Sequence, residues 1–172
     1  MSVAVDELRG GFLRLLEAHA TPPVPVAAES QPPGPAAENV VCQTVDPRAR
    51  GYNLNVALLP SQVVAAAEFL DAHGFAIDTV TGVDWLAAGQ MEVVYDYFHP
   101  SEQMRVAVRT RVPRSQPELP TISRVFPGAN WHERETHEFF GIRFLGHPDL
   151  SPLLLPEDAD YHPLRKDFPG AA

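Results

Sequence analysis

Every second residue is large and apolar in residues 52–58, and this alternation predicts a β-strand with one buried face. Further strands are predicted at residues 75–83, 90–98 and 103–111. On the third predicted strand the apolar side consists of Met91, Val93, Tyr95 and Tyr97. On the fourth, Met104, Val106 and Val108 face inward, and Arg105, Arg109 and Arg111 face outward. The short turn at residues 99–102 predicts that these two strands pair as an antiparallel hairpin.

A helix is predicted between the first two strands. It opens at Pro60 with Ser61 as N-cap, runs to His73 and ends at Gly74. Its apolar stripe consists of Val63, Ala67 and Leu70. The order strand, helix and then consecutive strands predicts an α+β domain with a largely antiparallel or mixed sheet and helices on one face.

The N-terminal region has a different composition from the rest. Residues 5–19 place apolar side chains near helical spacing and predict a short helix. Six prolines follow between Pro22 and Pro35, which is typical of a flexible, polyproline-like linker. We therefore divide the chain into a flexible helix and linker (1–38), an α+β core domain (39–143) and an extended partner-binding tail (144–172).

Residues 129–142, ANWHERETHEFFGI, predict a last helix. Asn130 is placed to cap it, and Glu133, three residues further on, is placed to complete a capping box. Gly141 is placed to end the helix. Much of the charge in this segment therefore has a structural explanation as a helix start.

The other charges of this helix predict ion pairs. Arg134 and Glu138 stand at the spacing of a helical pair, and we expect Glu135 and Glu138 to pair with Arg134 and Arg143.

Several classes of catalytic site are disfavoured. His132 and His137 are five residues apart, roughly 140° around a helix, whereas the H-E-x-x-H zinc motif needs histidines four apart. The chain contains no G-x-S-x-G elbow and no G-x-G-x-x-G loop, which disfavours a serine hydrolase and a self-contained nucleotide site.

Composition limits the partners. A net charge of -9 disfavours nucleic-acid binding and direct docking on anionic lipid. The single cysteine, Cys42, cannot form an internal disulfide or hold an iron–sulfur cluster. The N-terminus lacks the pattern of a secretory signal, and no window approaches the ~20 apolar residues of a membrane span. We expect a cytoplasmic protein whose membrane contact runs only through partners.

The C-terminal segment combines five prolines with large apolar residues. The prolines exclude long helices and central strands. The apolar residues are Leu150, Leu153, Leu154, Leu155, Leu164 and Phe168. Two interpretations remain: a tail that wraps its own core, or a strap laid across a partner protein, which we favour.

Four strings in this region carry a family resemblance: WHERE at 131–135, FFGI at 139–142, GHPDL at 146–150 and PLRKDFP at 163–169. Upstream, TGVDW at 81–85 and EVVY at 92–95 match as well. Over residues 52–169 the chain resembles the C subunit, a 30 kDa-type protein, of proton-pumping NADH:quinone oxidoreductase (respiratory complex I).

The resemblance implies an α+β protein in the cytoplasmic arm that packs tightly on the large quinone-site subunit of the complex. Neighbouring iron–sulfur subunits are implied partners. The complex would oxidise NADH, reduce quinone and translocate protons, with flavin, iron–sulfur clusters and quinone in or between partner subunits. This chain would have no cofactor, metal site or catalytic residue of its own. Its end shortly after Pro169 predicts that it is not fused to the large quinone-site subunit, as it is in some relatives.

Two stretches depart from the complex I pattern. Residues 136–139 are THEF where an aromatic residue, Asp and Met are expected, and residues 151–158 are SPLLLPED where Arg-Arg-Ile-Leu and Tyr-Gly-Phe are usual. The second stretch is more similar to relatives built on the same plan, the membrane-bound energy-converting hydrogenases and the deazaflavin- or ferredoxin-driven quinone oxidoreductases. The electron donor and acceptor therefore stay open.

Two alternatives of other classes remain. One is a stand-alone metal protein that uses His132, His137, His147 and His162. The other is an adaptor that binds a partner through its Pro-rich arm. For the favoured role within a complex we predict a partner interface made of Trp131, Glu133, Arg134, Glu135, His147, Pro148, Leu150, Arg165, Lys166 and Phe168.

Overall fold

A computed structural model describes residues 3–18 and 41–170 of the chain. The α-helices are α1 (Val3–Ala18), α2 (Pro47–Arg50), α3 (Val63–Ala72) and α4 (Ala129–Phe140). The strands are β1 (Val41–Thr44), β2 (Leu54–Leu58), β3 (Ala76–Trp85), β4 (Gln90–His99), β5 (Met104–Pro113), β6 (Glu118–Pro120) and β7 (Arg143–Leu145). Two 3₁₀ turns lie at Pro60–Gln62 and Leu86–Ala88. The predicted Pro-rich linker lies outside the described residues.

Five strands form one mixed sheet in the order β1-β2-β5-β4-β3, and β6 and β7 form a separate parallel pair. The predicted hairpin is confirmed, because β4 and β5 pair antiparallel over their whole length. The pairing between β2 and β5 is parallel. The predicted α+β class with a largely antiparallel sheet is therefore confirmed.

The core lies on one face of this sheet. All the side chains predicted to face inward on β4 and β5 are buried, and so are Val63, Ala67 and Leu70 of α3. The opposite face carries the arginines predicted there. Arg111 and Arg109 contact the buried carboxylate of Glu92, at 3.2 and 3.9 Å.

Helix α1 contributes directly to the core. Its side chains Val5, Leu8, Phe12 and Leu16 are buried in the main hydrophobic cluster. The predicted domain division places this helix outside the core domain because the Pro-rich linker separates the two. The structure differs because Gly11 lets the ring of Phe69 approach α1, where a Cβ atom would lie only 2.5 Å from that ring.

The predicted N-cap of α3 is wrong. Ser61 lies within a 3₁₀ turn, and the side chain of Gln62 instead accepts a hydrogen bond from the Leu59 N–H at 2.9 Å. The buried Gln62 amide also donates to the Leu16 carbonyl, which ties the start of α3 to α1. The predicted stop is confirmed, since Gly74 adopts a positive φ just after the helix.

Helix α4 packs beside the edge strand β3 on the core face. The Thr136 hydroxyl donates to the Val80 carbonyl at 3.1 Å. Gly82 makes room for the Phe140 ring, because a Cβ at that position would lie 2.6 Å from it. Covering a long edge in this way removes a site where another chain could pair with the sheet.

Candidate functional site

Residues 146–170 run without helix or strand across the surface of their own domain. Leu150 packs against the core. Other apolar side chains of this C-terminal segment point outward: Leu154 is 64% exposed, Leu164 52% and Tyr161 41%. The segment lies on its own domain, as in the interpretation of a tail that wraps its own core; the strap across a partner protein is not confirmed and stays a prediction.

The carboxylate of Glu138, buried on α4, holds the first part of this segment. Its Oε2 atom accepts hydrogen bonds from the backbone N–H groups of Leu153, Leu154 and Leu155 at 2.9, 3.1 and 3.0 Å. Its Oε1 atom accepts from Leu154 at 3.1 Å. Consecutive N–H groups that converge in this way form a nest for an anion.

Arg134, one helical turn before Glu138, grips the same segment by its carbonyl groups. It donates to the carbonyl oxygens of Ser151 and Pro152, both at 3.0 Å. The predicted ion pair between Arg134 and Glu138 is therefore wrong, since both side chains bind the C-terminal segment. Arg143 pairs with Glu118 at 3.1 Å rather than with a glutamate of α4.

The second part of the segment closes the C-terminal end of α4. A helix leaves its last carbonyl groups without intrahelical partners. Here the carbonyl of Glu138 accepts from His162 Nδ1 at 2.8 Å, that of Phe139 from the Leu164 N–H at 3.2 Å, and that of Phe140 from Arg165 Nε at 2.7 Å. The helix ends as predicted at Gly141, which has a φ of 73°.

Asp84, near the end of β3, also anchors the C-terminal segment. The buried carboxylate of Asp84 accepts from the Lys166 N–H at 2.8 Å and from Arg114 Nε at 3.0 Å. Arg114 also reaches Asp167 at 2.5 Å and thereby lowers the pKa of that carboxyl. The backbone around Lys166 is thus fixed to the sheet.

Glu133, on α4, is fully buried. Its carboxylate accepts from the Thr121 hydroxyl at 2.5 Å and from the Ile122 N–H at 2.8 Å. Burial raises the pKa of Glu133 to about 7, although these two hydrogen bonds act in the opposite direction. The predicted capping box is therefore wrong: α4 is preceded by Gly128 without a side-chain cap, and Glu133 points into the interior.

His147, the second residue of the C-terminal segment, lies beside Glu133, with 3.8 Å between Nε2 and Oε2. Its Nε2 atom faces the Asn130 carbonyl at 3.2 Å, and its Nδ1 atom accepts from the Asp149 N–H at 3.1 Å. This pattern fits a neutral ring with the proton on Nε2. Burial lowers the pKa of His147, consistent with that form.

The predicted interface residues divide by exposure. Four are exposed: Trp131 (68%), Glu135, Pro148 and Lys166. Five are half-buried: Arg134, His147, Leu150, Arg165 and Phe168. Glu133 is buried. All of them lie around α4 and its C-terminal segment. The side chains of Glu133, Arg134, His147 and Arg165 make hydrogen bonds within the chain.

Sequence reasoning missed Glu138 and Arg114 as members of this site. Both side chains act over long sequence separations, on residues 153–155 and on Asp84. No local spacing signals such contacts. Asp84 belongs to the TGVDW string that carries the family resemblance, but nothing in that string indicates its role as an anchor.

Three of the four histidines of the metal-protein alternative, His137, His147 and His162, contact backbone carbonyl groups. His137 Nδ1 faces the Ile142 carbonyl at 2.9 Å, and His162 Nδ1 faces that of Glu138. Within residues 3–18 and 41–170, no three His, Cys, Asp or Glu side chains are grouped to hold a metal ion. In the same part of the chain, no helix is long and apolar enough to cross a membrane.

Comparison with known proteins gives one consistent family. The family model described as "Respiratory-chain NADH dehydrogenase, 30 Kd subunit" matches residues 56–172. The C subunit of the NADH-quinone oxidoreductase of Roseiflexus castenholzii is 38% identical over 125 residues, which span 70% of this chain and 72% of that protein. The C/D subunit of the NADH-quinone oxidoreductase of Serratia proteamaculans is 35% identical over 140 residues, 75% of this chain and 23% of that longer protein.

A solved structure shares the fold. A chain of the membrane-bound sulfane sulfur reductase, an archaeal respiratory membrane complex, superposes with a TM-score of 0.69 at 21% identity, covering 95% of this chain and 86% of that one. At this identity the similarity concerns the fold alone. The family match covers most of the sequence and includes the strings from which the resemblance was inferred, so this chain belongs to the family of the 30 kDa subunit of respiratory-chain NADH dehydrogenase.

Proposed function

We propose that this chain is a structural subunit of a complex I-type NADH:quinone oxidoreductase, in the peripheral arm on the cytoplasmic side of the membrane. It docks on the large quinone-site subunit, close to the iron–sulfur subunits. The flavin, the clusters and the quinone belong to those partners, and this chain supplies rigidity and assembly. Its single cysteine supports that division of roles.

The observation that carries this proposal is the anchored C-terminal segment with its apolar side chains turned outward. Leu154, Leu164 and Trp131 are each more than half exposed, although the backbone next to the two leucines is fixed to α4. Large apolar side chains held rigidly at a surface are typical of a protein–protein interface. The large quinone-site subunit, the D subunit of such complexes, is the favoured partner because relatives named C/D join the two proteins in one polypeptide.

The test is purification of the tagged chain from gently solubilised membranes, followed by mass spectrometry of the proteins that accompany it. We expect the large quinone-site subunit, iron–sulfur subunits and membrane subunits to be recovered together. An accompanying NADH-oxidising module supports the complex I assignment. A nickel–iron protein in its place would assign the chain to a hydrogenase-type complex. Recovery of the chain alone would contradict a role within a complex.

Two leucine substitutions locate the interface. Leu154→Glu and Leu164→Glu together should reduce recovery of the large quinone-site subunit by roughly tenfold or more, since burying each leucine is worth about 1.5–3 kcal/mol. The matched control is Leu13→Glu, which changes an exposed leucine of α1 in the same way. Equal recovery of the large quinone-site subunit with the double variant and with Leu13→Glu would contradict docking through the C-terminal segment.

A further inference from the structure

The two charged side chains that grip residues 151–155 act on opposite kinds of backbone group. The Arg134 guanidinium group donates hydrogen bonds to the carbonyl oxygens of Ser151 and Pro152. The Glu138 carboxylate accepts hydrogen bonds from the N–H groups of residues 153–155. None of these residues belongs to a helix or strand. The two side chains, one turn apart on α4, therefore replace the regular hydrogen bonds that would otherwise order this backbone.

These hydrogen bonds also determine which leucine of residues 153–155 faces outward. Leu153 and Leu155 are half-buried, whereas Leu154 between them is 64% exposed. A shift of the segment by one residue along α4 would move a different leucine to the outer position. Glu138 fixes the register, because its two oxygens receive three successive N–H groups and Leu154 donates to both.

From this geometry we propose that Glu138 is a positioning residue for partner docking, whose carboxylate locks residues 153–155 in the register that presents Leu154 to the partner. The proposal deepens the proposed function and rests on it. The segment is ordered before docking, so the partner does not have to order it. Without the hydrogen bonds to Glu138, only a fraction of the molecules would hold residues 153–155 in the binding register. The apparent affinity for the partner would fall in proportion to that fraction.

The principal variant is Glu138→Gln, which keeps the length and shape of the side chain. Its amide offers one acceptor oxygen and turns an NH₂ group toward the N–H donors of the segment. Glu68→Gln, on the exposed side of α3, is the matched control for the same chemical change. Leu154→Ala is the contact variant, which removes the presented side chain and leaves the lock in place.

Hydrogen exchange on the isolated full-length chain measures how firmly Glu138 holds the amides of residues 153–155 when no partner is present. In Glu138→Gln the amides of residues 153–155 should exchange roughly tenfold faster or more. In Leu154→Ala and Glu68→Gln their exchange should stay as in the unchanged protein. Unchanged exchange in Glu138→Gln would overturn the proposal at this step, whatever the partner does.

Binding to the immobilised large quinone-site subunit, co-purified with its neighbouring iron–sulfur protein, measures the consequence. Glu138→Gln and Leu154→Ala should each raise Kd roughly tenfold or more, and Glu68→Gln should not. The double variant Glu138→Gln, Leu154→Ala should bind like Leu154→Ala alone. Glu138 acts on docking only by positioning the Leu154 side chain, which this variant lacks. A merely structural role would instead give additive losses.

The remaining outcomes are distinguishable. Faster exchange in Glu138→Gln with an unchanged Kd would overturn the positioning role and leave the proposed function intact. Failure of the unchanged protein to bind would contradict the proposed function, and with it docking through Leu154. If Glu138→Gln does not fold, Arg134→Gln is the substitute. Arg134 is half-buried, and its loss removes the hydrogen bonds to the carbonyl oxygens of Ser151 and Pro152 in the same segment. This variant should raise both the exchange rates and Kd. Unchanged values in that variant would also overturn the proposal.

Discussion

Ionisation of Glu133 should make the stability of this chain depend on pH, and Glu133→Gln should remove that dependence. In the folded chain burial raises the pKa of Glu133 from 4.5 to about 7. The folded state therefore binds this proton more tightly than the unfolded state. The stabilisation is complete below pH 4.5, decreases as the pH rises and is lost above pH 7. The difference in pKa corresponds to about 3 kcal/mol.

Gln at this position keeps an oxygen acceptor for the Ile122 N–H but has no proton to lose. Urea unfolding followed by far-UV circular dichroism between pH 5 and 8 gives the free energy of unfolding of both proteins. Between pH 5 and 8 we expect the unchanged protein to lose about 2.5 kcal/mol relative to Glu133→Gln, because a small part of the loss occurs below pH 5. His147 acts in the opposite direction, because its pKa is lowered in the folded chain. It is present in both proteins, so its direct contribution cancels in the difference.

Glu68→Gln is the control, since it removes an exposed carboxylate and should leave the pH profile unchanged. A difference between the unchanged protein and Glu133→Gln that stays constant from pH 5 to 8 would refute the reasoning. It would mean that Glu133 keeps an ordinary pKa despite its burial.

Three further predictions concern the fold and its anchors. Phe12→Ala should cost about 3–5 kcal/mol in urea unfolding because α1 belongs to the core; a cost below about 1 kcal/mol would show that α1 packs only loosely. Gly82→Ala should cost about 1–3 kcal/mol because the new methyl group meets the Phe140 ring, and a lowered Tm measures it. Asp84→Asn should cost about 3 kcal/mol because Arg114 loses a buried partner; protease cleavage after residue 150 should accelerate, and an unchanged cleavage rate would contradict the anchor.

The central sheet was predictable from the sequence because its signal is local. Alternation along β2, β4 and β5 marks which side chains face the core, and a four-residue turn brings β4 and β5 together. The parallel contact between β2 and β5 joins residues about fifty positions apart, such as Leu54 and Val106. No periodicity within either strand encodes that contact.

The charged residues of α4 show why the site was predicted less well. Arg134 and Glu138 have the spacing of a helical ion pair, which is worth only about 0.2–0.5 kcal/mol. Each finds several backbone partners on residues 151–155 instead. Glu133 has the spacing of a capping box, but the chain reaches α4 through a turn that brings Thr121 and Ile122 to its carboxylate. For Glu133, Arg134 and Glu138 the local pattern predicted an interaction but named the wrong partner.

The anchors on the C-terminal segment have a consequence for synthesis on the ribosome. Asp84 and Glu138 are made before residues 153–166, whose backbone groups they bind. Until those residues emerge, both carboxylates and the last carbonyls of α4 have only water as a partner for these bonds. A chain that stops before residue 151 lacks the locked segment and Leu154 as well. Under the proposed function, truncated copies could not compete for a place in the complex, so the order of synthesis itself selects finished subunits for assembly.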